Sequence, residues 1–224
     1  MKSVHFIPAL FVAIMLFSSC KHELPSFTAV DQQTDVVCFE SDVLPLFQSY
    51  CAKSGCHDDR GRDGYRLNNY ANIVSRGIRP GDATNSKIYE VLWETGEDAM
   101  PPSGNPQLTE GQKILIRRWI NQGANNTTGC GDVCDPLSFT YSANIQPMIE
   151  NSCVGCHGGS NPEGGINLSS YNLLKTYVTN NPARFMGSIR HSSGYSAMPQ
   201  GADQLSECKI IQLQNWINAG APNN

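Results

Sequence analysis

Asn151-Ser152-Cys153-Val154-Gly155-Cys156-His157 carries two thiols three positions apart with a histidine directly after the second. This spacing is the attachment signal for c-type haem: the thiols add across the vinyl groups, and the neighbouring histidine reaches the iron from one face. The other face needs a second donor. Met198, followed by Pro199, offers a soft thioether from a loop later in the same stretch, and such a ligand raises the reduction potential relative to a second imidazole. His191 is the histidine left over in the folded region; it is read as a hydrogen-bonding group near the haem edge, with a distal-ligand role as the alternative.

Upstream, the chain repeats itself. Ser41-Asp-Val-Leu-Pro45-Leu-Phe-Gln-Ser-Tyr-Cys51 recurs as Ala143-Asn-Ile-Gln-Pro147-Met-Ile-Glu-Asn-Ser-Cys153. Proline in the first helical turn loses no hydrogen bond, so both stretches are predicted to be short helices leading into a cysteine. The far ends match as well, Leu108 to Ala124 against Leu205 to Ala221 without a gap. Thr109 and Gln112 form a capping-box pattern, Ile114, Leu115, Trp119 and Ile120 fall on one face, and Gly123 and Gly220 stand where left-handed caps belong. Trp119 and Trp216 are expected to pack as structure. Between these helices the sequence is rich in Gly, Pro, Asn and Ser, with no clear alternation, which predicts long loops.

The first copy keeps the ligand pair but widens the thiol spacing: Cys51-Ala-Lys-Ser-Gly-Cys56-His57, with Met100-Pro101-Pro102 downstream. The porphyrin fixes the distance between the sulfurs, so the two extra residues have to bulge outward, and Gly55 makes that feasible. The alternative is a Cys51–Cys56 disulfide in a copy without cofactor.

Composition narrows the function classes. The 224 residues carry a net charge of −4, with 40% hydrophobic and 16% charged residues, so the chain has room for one or two modest cores and no basic stripe for nucleic acid. Lys2 and His5 precede an apolar run from Phe6 to Phe17, then Ser18-Ser19-Cys20, which reads as a secretory signal over 1–19 ending in a bacterial lipobox. Cys20 is then the lipidated residue, 20–37 an N-terminal linker, and the expected location the periplasm or cell surface on a membrane, with Lys21-His22-Glu23 pointing to the outer one.

Both copies resemble the planctomycete-type cytochrome c domain. The matching residues are Cys51, Cys56, His57, Gly81-Asp82 with Asn85-Ser86, Met100-Pro101-Pro102, Leu108-Thr109-Glu110 and Trp119 to Ala124, then Cys153, Cys156, His157, Met198-Pro199, Leu205-Ser206-Glu207 and Trp216 to Ala221. The Gly-Asp motif has no clean counterpart in the second copy, and Gln200 replaces Pro102 there. The resemblance implies a mostly α protein of two tandem cytochrome c-like domains, 38–126 and 134–224 joined by a linker at 127–133. Each would be a few short helices with long loops around a covalent haem c, ligated by His57 and Met100 or by His157 and Met198. Of nine cysteines, four go to two haems and Cys20 to lipid, leaving Cys38, Cys130, Cys134 and Cys208 for disulfides in an oxidising compartment. Three pairings exist; Cys38–Cys130 and Cys134–Cys208 are favoured because each clasps the start of one copy to its end. Arg76, Arg79, Arg184 and Arg190 are candidate partners for haem propionates.

The function expected from these residues is electron carriage between redox proteins, with no catalytic residue and no nucleic-acid partner. The alternative is a dihaem cytochrome c peroxidase-like enzyme, which needs a vacant iron face where each copy offers a methionine. A zinc module would need a fourth ligand that neither copy provides.

Overall fold

The structure, a computed structural model, describes residues 35–130 and 134–224. The expected signal peptide and Cys20 lie outside the described residues. Among the described residues the fold is helical and no β-strand occurs. Nor is any helix there long and apolar enough to cross a membrane.

The helices follow the repeat. In the first copy they are α1 (Leu44–Leu46), α2 (Tyr70–Val74), α3 (Lys87–Glu90) and α4 (Glu110–Asn121), and in the second α5 (Gln146–Ser152), α6 (Tyr171–Asn180), α7 (Pro182–Ile189) and α8 (Glu207–Asn218). Both proline-bearing segments start earlier than the sequence predicts. A wide π-type turn, Phe39–Val43 or Tyr141–Ile145, precedes each, closed by Leu44 N–H to Phe39 O and by Gln146 N–H to Tyr141 O. Pro45 and Pro147 therefore sit in the first turn of the α-wound part, where the missing N–H is tolerated, and not at the start of the whole helical run.

The closing helices are punctuated as their sequences require. The Thr109 hydroxyl accepts from Gln112 N–H while the Gln112 side chain accepts from Thr109 N–H, completing a capping box. At the other end Gly123 adopts φ +101°, with Ala124 N–H bonded to Trp119 O and Gly123 N–H to Ile120 O. Gly220, Ala221, Trp216 and Ile217 repeat this Schellman pattern. The tryptophan of each closing helix is fully buried and donates from Nε1 to a carbonyl just past the cap, Trp119 to Asn125 and Trp216 to Pro222.

Buried apolar side chains form two clusters, one drawn from Val37 to Ala124 and the other from Tyr141 to Ala221. Disulfides join Cys38 to Cys130 and Cys134 to Cys208. The stretch after Ala124 does not hang free. Thr127 accepts from Phe39 N–H through its hydroxyl and from Glu40 N–H through its carbonyl, and Gly129 N–H donates to the Glu40 carboxylate. Residues 127–130, expected as linker, are thus bound to the start of the first copy; 131–133 lie outside the described residues.

The copies also touch. Tyr50 donates its hydroxyl to Glu150 O, Gln112 Nε2 donates to Asn151 Oδ1, and Gly155 N–H donates to the Ser49 hydroxyl. Gly155 has no side chain for a steric reason: a Cβ there would run into the Ser49 carbonyl.

Candidate haem sites

The second site begins where α5 ends. Ile149 O caps the helix through Cys153 N–H, and His157 N–H then bonds to Cys153 O at 2.8 Å, so the Cys-x-x-Cys-His stretch folds back as one tight loop. The His157 Nδ1 lies 3.1 Å from Glu163 O and 3.2 Å from Ile166 O. Carbonyl oxygens only accept, so Nδ1 carries the proton and Nε2 keeps its lone pair for a metal. Such a bond also fixes the ring's orientation, the usual second tether of a ligating imidazole.

A cavity of about 800 Å³ opens beside this histidine. Cys153, His157 and Met198 line it, with Leu168, Phe185 and Ile189 among its apolar walls. Its volume falls in the range of cofactor pockets, about 300–1,000 Å³. Arg184 stands in the wall and is the arginine placed to meet a propionate; Arg190 instead pairs with Glu207 at 3.5 Å. Haem c fits the donors that line the cavity, the Cys153 thiol, an imidazole with Nε2 free, a thioether and a cation among apolar walls; Cys156 does not line it, and its Sγ lies against Ser49 O. Burial pushes the Cys153 thiol up to about 12, with Cys156 adding to it, and the Cys156 thiol up to about 11, where Glu163 adds and Lys53 opposes.

The first copy reproduces the loop around the wider spacing. His57 N–H bonds to Cys51 O at 3.1 Å, as His157 does to Cys153, although two more residues intervene. The excess is taken up by a turn from Lys53 O to Cys56 N–H, with Gly55 at φ +80° facing open space. Asp58 fastens this bulge: its carboxylate accepts from Gly55 N–H and Arg60 N–H, and Arg60 reaches on to the Ser54 hydroxyl. His57 Nδ1 is 3.3 Å from Tyr65 O, and Leu67 N–H bonds to His57 O as Leu168 N–H does to His157 O. Cys51 and Cys56 are both free thiols, so the disulfide alternative is not the arrangement present. Burial pushes Cys51 up to about 12. Met100 N–H bonds to Val91 O, and Met198 N–H to Ser188 O.

The remaining sequence candidates have other work. Arg76 stacks 4.5 Å over the Tyr65 ring, and Arg79 lies 3.9 Å from Asp82. The Gly81-Asp82 motif is a docking turn: Asp82 accepts from Asn85 N–H and the Thr84 hydroxyl, Gly81 N–H bonds to Ile120 O, and Ala83 N–H bonds to Asn121 Oδ1. His191 Nε2 is 3.1 Å from Met198 O, a hydrogen-bonding role in place of the distal-ligand alternative. Sequence reasoning missed Ser49, Asp58 and Gly155, because what they do depends on partners that the motif spacing does not reveal.

The fold and site together define a cytochrome c domain in the second copy, with the covalently bound haem c and electron-transfer chemistry that such a domain implies. A family model described as "Cytochrome C oxidase, cbb3-type, subunit III" matches residues 143–217. That match supports a cytochrome c domain and does not extend to the planctomycete-type tandem family that the sequence resembles. No curated protein and no solved structure matches the chain.

Proposed function

We propose that the chain is a dihaem c-type cytochrome that passes electrons between redox proteins outside the cytoplasm, held on a membrane by lipid at Cys20. Its two domains would be 38–126 and 134–224, with one haem on Cys51, Cys56, His57 and Met100 and the other on Cys153, Cys156, His157 and Met198. The observation that carries this reading is the shared loop closure: each histidine N–H returns to the first cysteine carbonyl, and each Nδ1 is engaged by a loop carbonyl. A copy that had lost its cofactor would have no reason to keep that registration across a wider thiol spacing.

When bound, haem c supplies a reversible one-electron couple. The chain's own contribution is to hold two donors on each iron, to keep water from the ring with apolar walls, and to offer Arg184 to a propionate. Met198 would serve as a second donor beside His157, and Met100 is its counterpart in the first copy; a donor held in that way would leave no position for substrate, which favours carriage over peroxide turnover. A pyridine haemochrome assay on the purified chain tests the proposal. Two covalent haems per chain are expected; one would remove the first site, and none would overturn the reading.

A further inference from the structure

The C-terminal end of α7 carries a histidine where the chain otherwise uses glycine. His191 has φ +48°, its N–H bonds to Ser188 O, and Ser192 N–H bonds to Gly187 O. This is the hydrogen-bond pattern that Gly123 and Gly220 close after α4 and α8. A side chain in the left-handed region is strained, and such strain persists where surrounding contacts hold it, often at functional sites. The turn itself does not need a histidine. What the ring adds is the contact of Nε2 with Met198 O at 3.1 Å. Because that oxygen only accepts, Nε2 is the protonated nitrogen and is turned away from any role as an iron donor.

Met198 is consequently tied on both sides to one helix end: its N–H donates to Ser188 O, and its carbonyl accepts from His191. Among the described residues the first copy has only the first tie, Met100 N–H to Val91 O. Three residues beyond Val91, where His191 stands beyond Ser188, the first copy has Glu94, whose side chain has no N–H to offer a carbonyl.

We propose that His191 is a positioning residue for the second haem site: by clamping the Met198 carbonyl to the end of α7, it holds the thioether at the cavity and makes Met198 harder to displace than Met100. This rests on the reading of Met198 as the distal ligand.

The test uses the full haem-loaded chain and three variants. Met198→Ala removes the second site's share of the near-infrared thioether-to-iron band if Met198 is a ligand; an unchanged band would overturn the ligand reading itself, and the proposal with it. His191→Gly suits the positive φ, so the fold melts at or above the wild-type temperature. The same variant weakens that share of the band, lowers the second haem's potential, and lets added imidazole displace Met198 about tenfold more readily, the scale of one lost hydrogen bond. His191→Gln keeps an N–H donor of similar reach and restores wild-type values. If His191→Gly keeps the wild-type band, potential and imidazole affinity while Met198→Ala loses the band, the ligand stands and the clamp does not exist. A His191→Gln variant as impaired as His191→Gly would equally sink it, since the donor would then be irrelevant.

Discussion

Cys156 Sγ lies 3.4 Å from the carbonyl oxygen of Ser49, so the second thiol of one attachment motif rests on the helical turn that leads into the other. The same turn receives Gly155 N–H through the Ser49 hydroxyl. The two motifs meet at the interface between the copies and do not lie at opposite ends of the molecule. If both motifs carry haem, as proposed above, transfer between the two centres would need no diffusive step.

That contact depends on the absence of a side chain at Gly155. A methyl group would collide with backbone, which cannot rotate out of the way as a flexible side chain can. Gly155→Ala is expected to cost about 1–3 kcal/mol by overpacking and to loosen the copies from each other. Thermal unfolding measures the cost, and protease cleavage between 125 and 140 reports the loosening. Wild-type stability together with wild-type protection would show that the contact is not maintained in solution.

Asp58 should matter to the first site and not the second. The Arg60 hydrogen bond and the Gly55 N–H hold its carboxyl down to about 2, below the ordinary 3.8. A depressed carboxylate contributes its stabilisation above the unfolded value and loses it as pH falls through about 2, so the bulge stays fastened across the neutral and mildly acid range. Asp58→Ala is expected to lower haem loading on Cys51 and Cys56 while leaving Cys153 and Cys156 fully loaded. Peptide mass spectrometry of the haem-bearing fragments reads both at once, and equal loading of the two would count against the assignment.

The repeat, the capped closing helices and the burial of Trp119 and Trp216 could be read from the sequence because each is a local pattern with a fixed spacing. Thr109 with Gln112, or Gly123 after Trp119, needs only neighbours three to five residues away to be recognised. The π-type turns before Pro45 and Pro147 escaped, since nothing in residues 39–43 or 141–145 distinguishes a wide turn from an α-turn until the tertiary contacts are made. The binding of Thr127 to residues 37–40 escaped for a related reason: Asn-Asn-Thr-Thr-Gly has linker composition, and its partners stand some ninety positions earlier. His191 was expected as a hydrogen-bonding histidine, but its partner, Met198 O, could be found only in three dimensions.

The Cys134–Cys208 disulfide ties the entry of the second copy to the first turn of α8. Gln212, farther along α8, donates to Asp135 O and Ser138 O and holds the same strand of chain. Replacing both cysteines by serine is expected to cost about 2–4 kcal/mol, the usual worth of a bridge closing a loop of this kind. Since Gln212 keeps the segment docked, the second haem's spectrum should remain that of the wild type below the new melting temperature. Denaturant unfolding followed at the haem absorption checks both statements.

The buried thiols predict how the haem-free chain responds to alkali. Cys51 and Cys153 are pushed up to about 12 and Cys156 to about 11, chiefly by burial, against an ordinary value of 9.0. Below pH 9 the thiols are protonated in both folded and unfolded chains, and the stabilisation linked to the raised values is fully present. As pH rises from 9 towards 12, the unfolded chain releases those protons while the folded chain still holds them, so folding weakens progressively. Thiolate is the reactive species, so iodoacetamide at pH 8 should modify Cys153 far more slowly in the folded haem-free chain than after denaturation. Once the thiols have become thioethers they no longer titrate, and the haem-loaded protein should lose this part of its alkaline sensitivity. Equal alkylation of Cys153 in folded and denatured chains would mean that the site is open to water without its haem.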